Sequence, residues 1–125
     1  MAEAKYDVLA IGNAIFDVFA RTDEKFLADH GMAKGSMALI DEARATAIYR
    51  DMGPATEVSG GSAANTIVGV ASFGARAAYV GKIKDDQIGK LYSHDIRAAG
   101  VAFETSAAKD GPATGCSYIL VTGDG

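Results

Sequence analysis

The chain has 125 residues, a net charge of −4, and 49% hydrophobic against 22% charged residues. That is the balance of a folded globular chain with length for one domain and its core. The acidic balance argues against nucleic acid as a main partner, since neutralising phosphates needs Lys and Arg, and no run of about 18 apolar residues is present to cross a membrane.

The elements follow in chain order. Tyr6–Ile11 (YDVLAI) is a short apolar run ending at Gly12 and reads as a buried strand. Val18–Arg21 reads as a second, more exposed strand. Thr22 is placed to cap a short helix with Asp23 and Glu24 in its first turn and Gly31 after its end. Ser36–Ile40 reads as a strand, and Asp41 caps a helix to about Asp51, halted by Gly53-Pro54. Ala55–Val58 is the next strand. A helix over Ser62–Phe73 follows, ending at Gly74; it is apolar on most sides and reads as buried. After the strand Ala77–Val80, Asp86 caps a helix on which Ile88, Leu91, Tyr92 and Ile96 form one stripe and which Gly100 ends. Val101–Glu104 and Ser117–Thr122 are further strands. Strands alternating with helices predict an α/β sheet with crossover connections. The closing Gly123-Asp124-Gly125 is a hairpin signal after a strong strand, and the chain is read as part of a longer protein.

The chemistry concentrates in Ser59-Gly60-Gly61-Ser62-Ala63-Ala64-Asn65-Thr66. Two glycines and several small residues let a ligand approach the backbone. The helix start offers unpaired N–H groups. Asn65 lies about one turn in, and helical side chains lean back toward the N-terminus. A second element, Gly12-Asn13-Ala14-Ile15-Phe16-Asp17, follows the first strand, and α/β sheets bind ligands beyond the carboxyl ends of their strands. Asp17 either grips two adjacent hydroxyls, as on a ribose, or caps a turn. Gly81 to Gly89 reads as a strand–turn–helix junction with Asp86 as N-cap. Other chemistries lack their patterns. Gly74 to Gly81-Lys82 has the wrong spacing for a phosphate-binding P-loop, and Ile83 follows in place of Ser or Thr. His30 and His94 have no ligand-spaced partners for zinc and read as surface or helix-end residues. Cys116, the only cysteine, excludes an internal disulfide and reads as a small, half-buried apolar residue. The N-terminus Met1-Ala2-Glu3-Ala4-Lys5-Tyr6 lacks a basic-then-apolar leader pattern, and a reducing cytoplasm is the expected location.

Taken together, Gly60-Gly61-Ser62-Ala63-Ala64-Asn65, then Gly74, Gly81, Asp86 and Gly89, resemble the first signature of the ribokinase-like (PfkB) family of carbohydrate kinases. Gly12-Asn13 with Asp17, and Ala113-Thr114-Gly115, resemble its adenosine kinase branch. The resemblance runs from Tyr6 to the end and implies that residues 1–125 are the N-terminal part of a single kinase domain. It implies a three-layer α/β/α core, incomplete here, with a small β-sheet lid. Val18–Arg21, Ser36–Ile40, Ala55–Val58 and Ser117–Thr122 are the candidate lid strands. It implies phosphoryl transfer from ATP, with Mg2+, to a primary hydroxyl of a sugar or nucleoside. Asp17 would hold ribose-type hydroxyls, Gly60, Gly61 and Asn65 would contact the same sugar, and Asn13 and Thr114 would form the pocket wall. Lid sheets in this family often make dimer contacts. Lys84 stands where related sequences usually carry glycine. The family's catalytic Gly-Ala-Gly-Asp motif does not occur in this sequence, so the expectation is a substrate-binding segment that does not turn over alone.

Overall fold

The computed structural model describes residues 2–125, and these divide into two compact units. The first runs to Phe16 and resumes from Val58 to Cys116; the second takes Asp17–Glu57 and Ser117–Gly125. The elements in order are β1 (Val8–Ile11), β2 (Ile15–Arg21), α1 (Glu24–Asp29), α2 (Glu42–Asp51), β3 (Ala55–Gly60), α3 (Ser62–Ser72), β4 (Ala77–Val80), α4 (Gln87–Ala98), β5 (Ala102–Phe103) and β6 (Gly115–Val121). The chain is of the mixed α/β class, with one three-stranded sheet ordered β1-β4-β5 and a second ordered β3-β2-β6.

In the first unit the strands run parallel, with Val8 opposite Ala77, Ile11 opposite Val80, and Tyr79 opposite Phe103. Parallel strands need crossovers, and α4 supplies the one between β4 and β5. Helix α3 packs on β1 and β4, and α4 packs on β5. The core is Ala64, Ile67, Tyr79, Tyr92, Ile96, Val101 and Phe103, all buried. Tyr79, Tyr92 and Phe103 form an aromatic cluster with ring centroids 5.8–6.4 Å apart, each pair contributing about 0.5–1.5 kcal/mol beyond its burial.

Several expectations are corrected in this unit. β1 is not a buried strand: Leu9 is 56% and Ile11 74% exposed, because β1 lies at an end of its sheet and, among the described residues, pairs with β4 alone. Helix α3 buries only Ala64 and Ile67, so it is covered on one face. On α4 the buried positions are Gly89, Tyr92 and Ile96, and Leu91 is exposed. The stripe is rotated because the backbone of Lys84 packs directly on Gly89: a Cβ there would fall 2.1 Å from the Lys84 carbonyl oxygen. β5 is cut to two residues.

In the second unit, Val18 and Ala20 bury one face of β2 while Phe19 and Arg21 are exposed, the period-two alternation of a half-buried strand. Helix α1 is capped by Asp23, whose carboxylate accepts from the Phe26 N–H at 2.8 Å. Thr22 does not cap it; its N–H donates to the Val121 carbonyl at 3.0 Å. Asp41 caps α2 as expected, accepting from the Arg44 N–H. Arg44 donates to the His30 carbonyl at 2.9 Å, tying the two helices, and His30 Nε2 lies 3.3 Å from Asp51 Oδ2. Ser36–Ile40 forms no strand. Met37 is 89% and Leu39 95% exposed, so its alternation meets neither a core nor a partner strand. Three of the four candidate lid segments thus share the β3-β2-β6 sheet, and the fourth is irregular. The closing turn forms: the Gly125 N–H donates to the Thr122 carbonyl, and Lys34 Nζ donates to Asp124.

Candidate functional site

β3 continues through Ser59 to Gly60, Gly61 takes the N-cap position at φ +99°, and α3 begins at Ser62. Only glycine accepts that backbone without strain. A Cβ at Gly61 would fall 2.6 Å from the Asn13 carbonyl oxygen, and one at Gly12 would fall 2.6 Å from Ala63 Cβ. The residues after β1 and the start of α3 therefore lie in close contact, Gly61 on the Asn13 backbone and Gly12 on the Ala63 methyl, which the two glycines permit and larger residues would forbid. Gly60 is buried, and its carbonyl accepts from the Tyr92 hydroxyl at 3.2 Å. Ser59 is tied to Asp95 at 3.1 Å.

Among the described residues α1, α2 and α4 are each capped by an aspartate, whereas no side chain caps α3. Its first intrahelical bond runs from the Asn65 N–H to the Gly61 carbonyl at 2.8 Å. The amides before it face out of the helix start, where the dipole favours electron-rich atoms. Asn65 and Asn13 are both exposed. The structure thus gathers Gly60, Gly61, Asn13 and Asn65 around one strand–helix junction.

Asn13 also lines a groove of about 330 Å3, with Ile15, Lys84, Pro112, Thr114 and Gly115 among its other walls. Thr114 is buried and its hydroxyl is fully engaged, donating to Asp86 Oδ1 at 2.7 Å and accepting from the Lys84 N–H at 2.9 Å. Thr114 therefore shapes the groove wall by position. Asp86 caps α4 through the Gly89 N–H at 2.7 Å and also accepts from the Thr114 N–H at 2.9 Å. Burial alone would raise its carboxyl, but the Thr114 and Gly89 amides, the Thr114 hydroxyl and the Lys84 charge outweigh burial and hold it below the ordinary 3.8. Lys84 fits where glycine is usual: its φ is not positive, and its ammonium donates to the Gly111 carbonyl at 2.7 Å. The sequence marks Asp86 as a cap and as part of the signature, not as a partner of Thr114. Its grip on Thr114 spans 28 positions and leaves no local signal.

Asp17 lies inside β2, so it caps no turn. It is half-buried, and among the described residues it has no hydrogen-bond or ion-pair partner. Burial pushes its carboxyl above 3.8 with nothing to offset it. Beneath the glycines, the Tyr79 hydroxyl is buried without a hydrogen-bond partner and stands 3.5 Å from where a Gly12 Cβ would be. Burial pushes its phenol up, and the nearby Tyr92 hydroxyl offsets part of that rise. In the sequence Tyr79 has only the signal of a strand residue. Cys116 is half-buried. His30 ends α1 and His94 is exposed on α4. No group of three His, Cys, Asp or Glu side chains among the described residues is placed to hold a metal, so no Mg2+ ligand set is assigned to these residues. No helix among them is long and apolar enough to cross a membrane.

Comparison with known proteins bears on this geometry. A family described as pfkB family carbohydrate kinase matches residues 40–125. The crystal structure of adenosine kinase from Sinorhizobium meliloti is 57% identical with a TM-score of 0.84, over 98% of this chain and 37% of that one. A probable sugar kinase protein from Rhizobium etli CFN 42 is 48% identical with the same TM-score and coverage. A probable fructokinase-4 of Arabidopsis thaliana is 32% identical over 66 residues, 53% of this chain and 20% of its own length. The matched stretch is about a fifth of that curated relative, and this chain spans little more than a third of the two solved structures.

Proposed function

The chain belongs to the pfkB family of carbohydrate kinases, and from that footing we propose that it supplies the substrate-binding part of a kinase that transfers the γ-phosphoryl group of ATP, with Mg2+, to a primary hydroxyl of a sugar or nucleoside. The observation that carries the reading is Asp17. A half-buried carboxylate without a donor is an unmet acceptor, and two adjacent ribose-type hydroxyls meet both its oxygens. Gly60 and Gly61 admit the sugar to the backbone, Asn65 and Asn13 offer amides to its remaining hydroxyls, and Thr114 holds the wall. The likeness to an adenosine kinase over 98% of the chain favours a nucleoside of the adenosine type. ATP, Mg2+ and the catalytic base are assigned to the remainder of the whole protein, since phosphoryl transfer rests on positioning and charge stabilisation and the catalytic motif the resemblance implies is absent from this sequence. We also assign homodimer contact to the β3-β2-β6 sheet, where β3 is an outer strand exposed from Ala55 to Val58.

The test is calorimetric titration of the whole protein with adenosine. Asp17→Asn should weaken adenosine about 10- to 100-fold, the loss of charge-assisted hydrogen bonds, while ATP affinity stays within about twofold. Because burial raises the Asp17 carboxyl, adenosine affinity should fall on acidification at a pH above the ordinary aspartate range, as the proton removes the acceptor. Unchanged adenosine affinity in Asp17→Asn removes Asp17 from the site. ATP-dependent phosphorylation of adenosine by the 125-residue chain alone would refute the division of labour.

A further inference from the structure

A larger groove, of about 590 Å3, runs along α4. One wall is the helix face carrying Lys90, Ser93, His94 and Arg97; Ala107 stands opposite, and buried Ile83 and Gly89 lie at its base. Positions 90, 94 and 97 share one helical face, and at 1.5 Å rise per residue they spread over roughly 10 Å. Lys84 adds a further cation. In a chain of net charge −4, this groove gathers three permanent cations against one lining carboxylate, Asp85.

The partners of these cations decide what the groove can take. Asp85 lies 3.7 Å from Lys90, at the long limit of an ion pair. The Lys84 ammonium donates to the neutral Gly111 carbonyl, and Arg97 Nε donates to the neutral Phe103 carbonyl at 2.9 Å. Both side chains are therefore held in place by neutral acceptors; Asp86 offsets part of the Lys84 charge, and Arg97 has no carboxylate partner among the described residues. Arg97 keeps its terminal N–H groups for a ligand, and its guanidinium is braced 5.9 Å from the Phe103 ring centroid. The opposite wall is fixed as well. The Asp85 N–H donates to the Ala108 carbonyl and the Ala108 N–H to the Ile83 carbonyl, each at 2.8 Å. Of the acidic groups nearby, Asp86 is engaged with Thr114 and Gly89 and Glu104 with Lys5, while Asp95 accepts from Ser59 through one oxygen and lies 3.4 Å from His94 Nδ1 through the other.

We propose that this α4 groove is a binding site for a small phosphate-bearing anion, held between the Lys84–Lys90 end and Arg97. Fixed cations spread along a groove favour an extended anion with several negative oxygens, and guanidinium and ammonium donors match phosphate oxygens. The inference is independent of the substrate reading, because it uses none of the residues assigned to the sugar.

The test is titration of the full 125-residue chain with inorganic tripolyphosphate, followed by calorimetry and by amide chemical shifts. Orthophosphate, sulfate and citrate serve as comparison anions. Shifts are expected at Lys84, Gly89, Ser93 and Ala107, with tripolyphosphate binding about tenfold tighter than orthophosphate and weakening with added salt. Lys90→Glu, an exposed position, should reduce affinity about fivefold or more, and Arg97→Gln should do the same. Lys25→Glu, on α1, should leave it unchanged. Equal affinity in Lys90→Glu and the unaltered chain would overturn the proposal. So would shifts of similar size at Arg21 and Lys25, or citrate binding as tightly as tripolyphosphate.

Discussion

Replacing Asp86 by alanine strips three donors of their acceptor at once: the Gly89 amide, the Thr114 amide and the Thr114 hydroxyl. Loss of an N-cap alone costs about 1 kcal/mol. The two Thr114 bonds end on a charged acceptor and are partly buried, so each adds about 1.5 kcal/mol, the low end for such bonds. The expected loss is therefore about 4 kcal/mol, a large share of the stability of a domain this size. At about 4 °C per kcal/mol for a chain of this length, the melting temperature should drop by roughly 15 °C. Asp41→Ala is the internal reference: it removes one cap bond, from the Arg44 amide, and should cost about 1 kcal/mol. Thermal melts read by near-ultraviolet circular dichroism report the Tyr79, Tyr92 and Phe103 cluster directly. The pH dependence adds a second check. Asp86 is depressed below 3.8 in the fold, so its contribution is fully present above the unfolded value and is lost as pH falls through the lower folded value. The gap between the unaltered chain and Asp86→Ala should therefore close in acid. If Asp86→Ala and Asp41→Ala lower the midpoint equally at neutral pH, Asp86 is only a cap and the bridge to Thr114 carries no energy.

Gly61→Ala combines a φ of +99° with a 2.6 Å approach to the Asn13 carbonyl and should destabilise by about 3 kcal/mol. Gly69→Ala, mid-helix with nothing within 4 Å, should stabilise by about 0.5–1 kcal/mol; urea melts of the two variants moving the same way would contradict this. Tyr79→Phe removes a buried hydroxyl with no partner at good bonding geometry that still feels the Tyr92 hydroxyl, and should leave stability unchanged or raise it by up to about 1 kcal/mol; a loss of similar size would show that the hydroxyl is bonded. The exposed Val8, Leu9, Ile11 and Val80, beside the unpaired edge of β1, should make the 125-residue chain self-associate with rising concentration. Light scattering should show less concentration-dependent association beyond a dimer in Leu9→Lys with Ile11→Lys, and no difference between the two chains would refute the role of that strand.

Local chemistry was legible in the sequence and pairing across distance was not. Asp41 and Asp86 announce their helices because a cap lies within three residues of the amide it serves. Thr22 and Asp23 are equally good caps by type, and the choice fell to Asp23 because the Thr22 amide is drawn into the strand pair with Val121. Ser36–Ile40 shows the reverse failure. Its residues suit a strand, but a strand exists only where another offers a ladder. β1 shows a third kind. Val8–Ile11 carries the continuous apolar run of a strand covered on both faces, and Val8, Leu9 and Ile11 are exposed because a one-sided sheet end leaves them without cover.

The candidate site divides along the same line. The glycine cradle was legible because a positive φ and a close backbone approach each demand glycine, and Gly61 meets both. Asp17 was ambiguous, since an aspartate near a strand end serves equally well as a turn cap or a ligand. Its place within β2 removes the first reading. The second gains weight from energetics. Keeping a partly desolvated carboxylate without a donor costs stability, and a serine or threonine neighbour would relieve that cost cheaply. A chain that instead leaves the acceptor open loses a little stability when empty and regains it when a ligand brings hydroxyls. Asp17→Asn should therefore leave the empty protein no less stable while weakening substrate binding, a combination that a purely structural aspartate cannot produce.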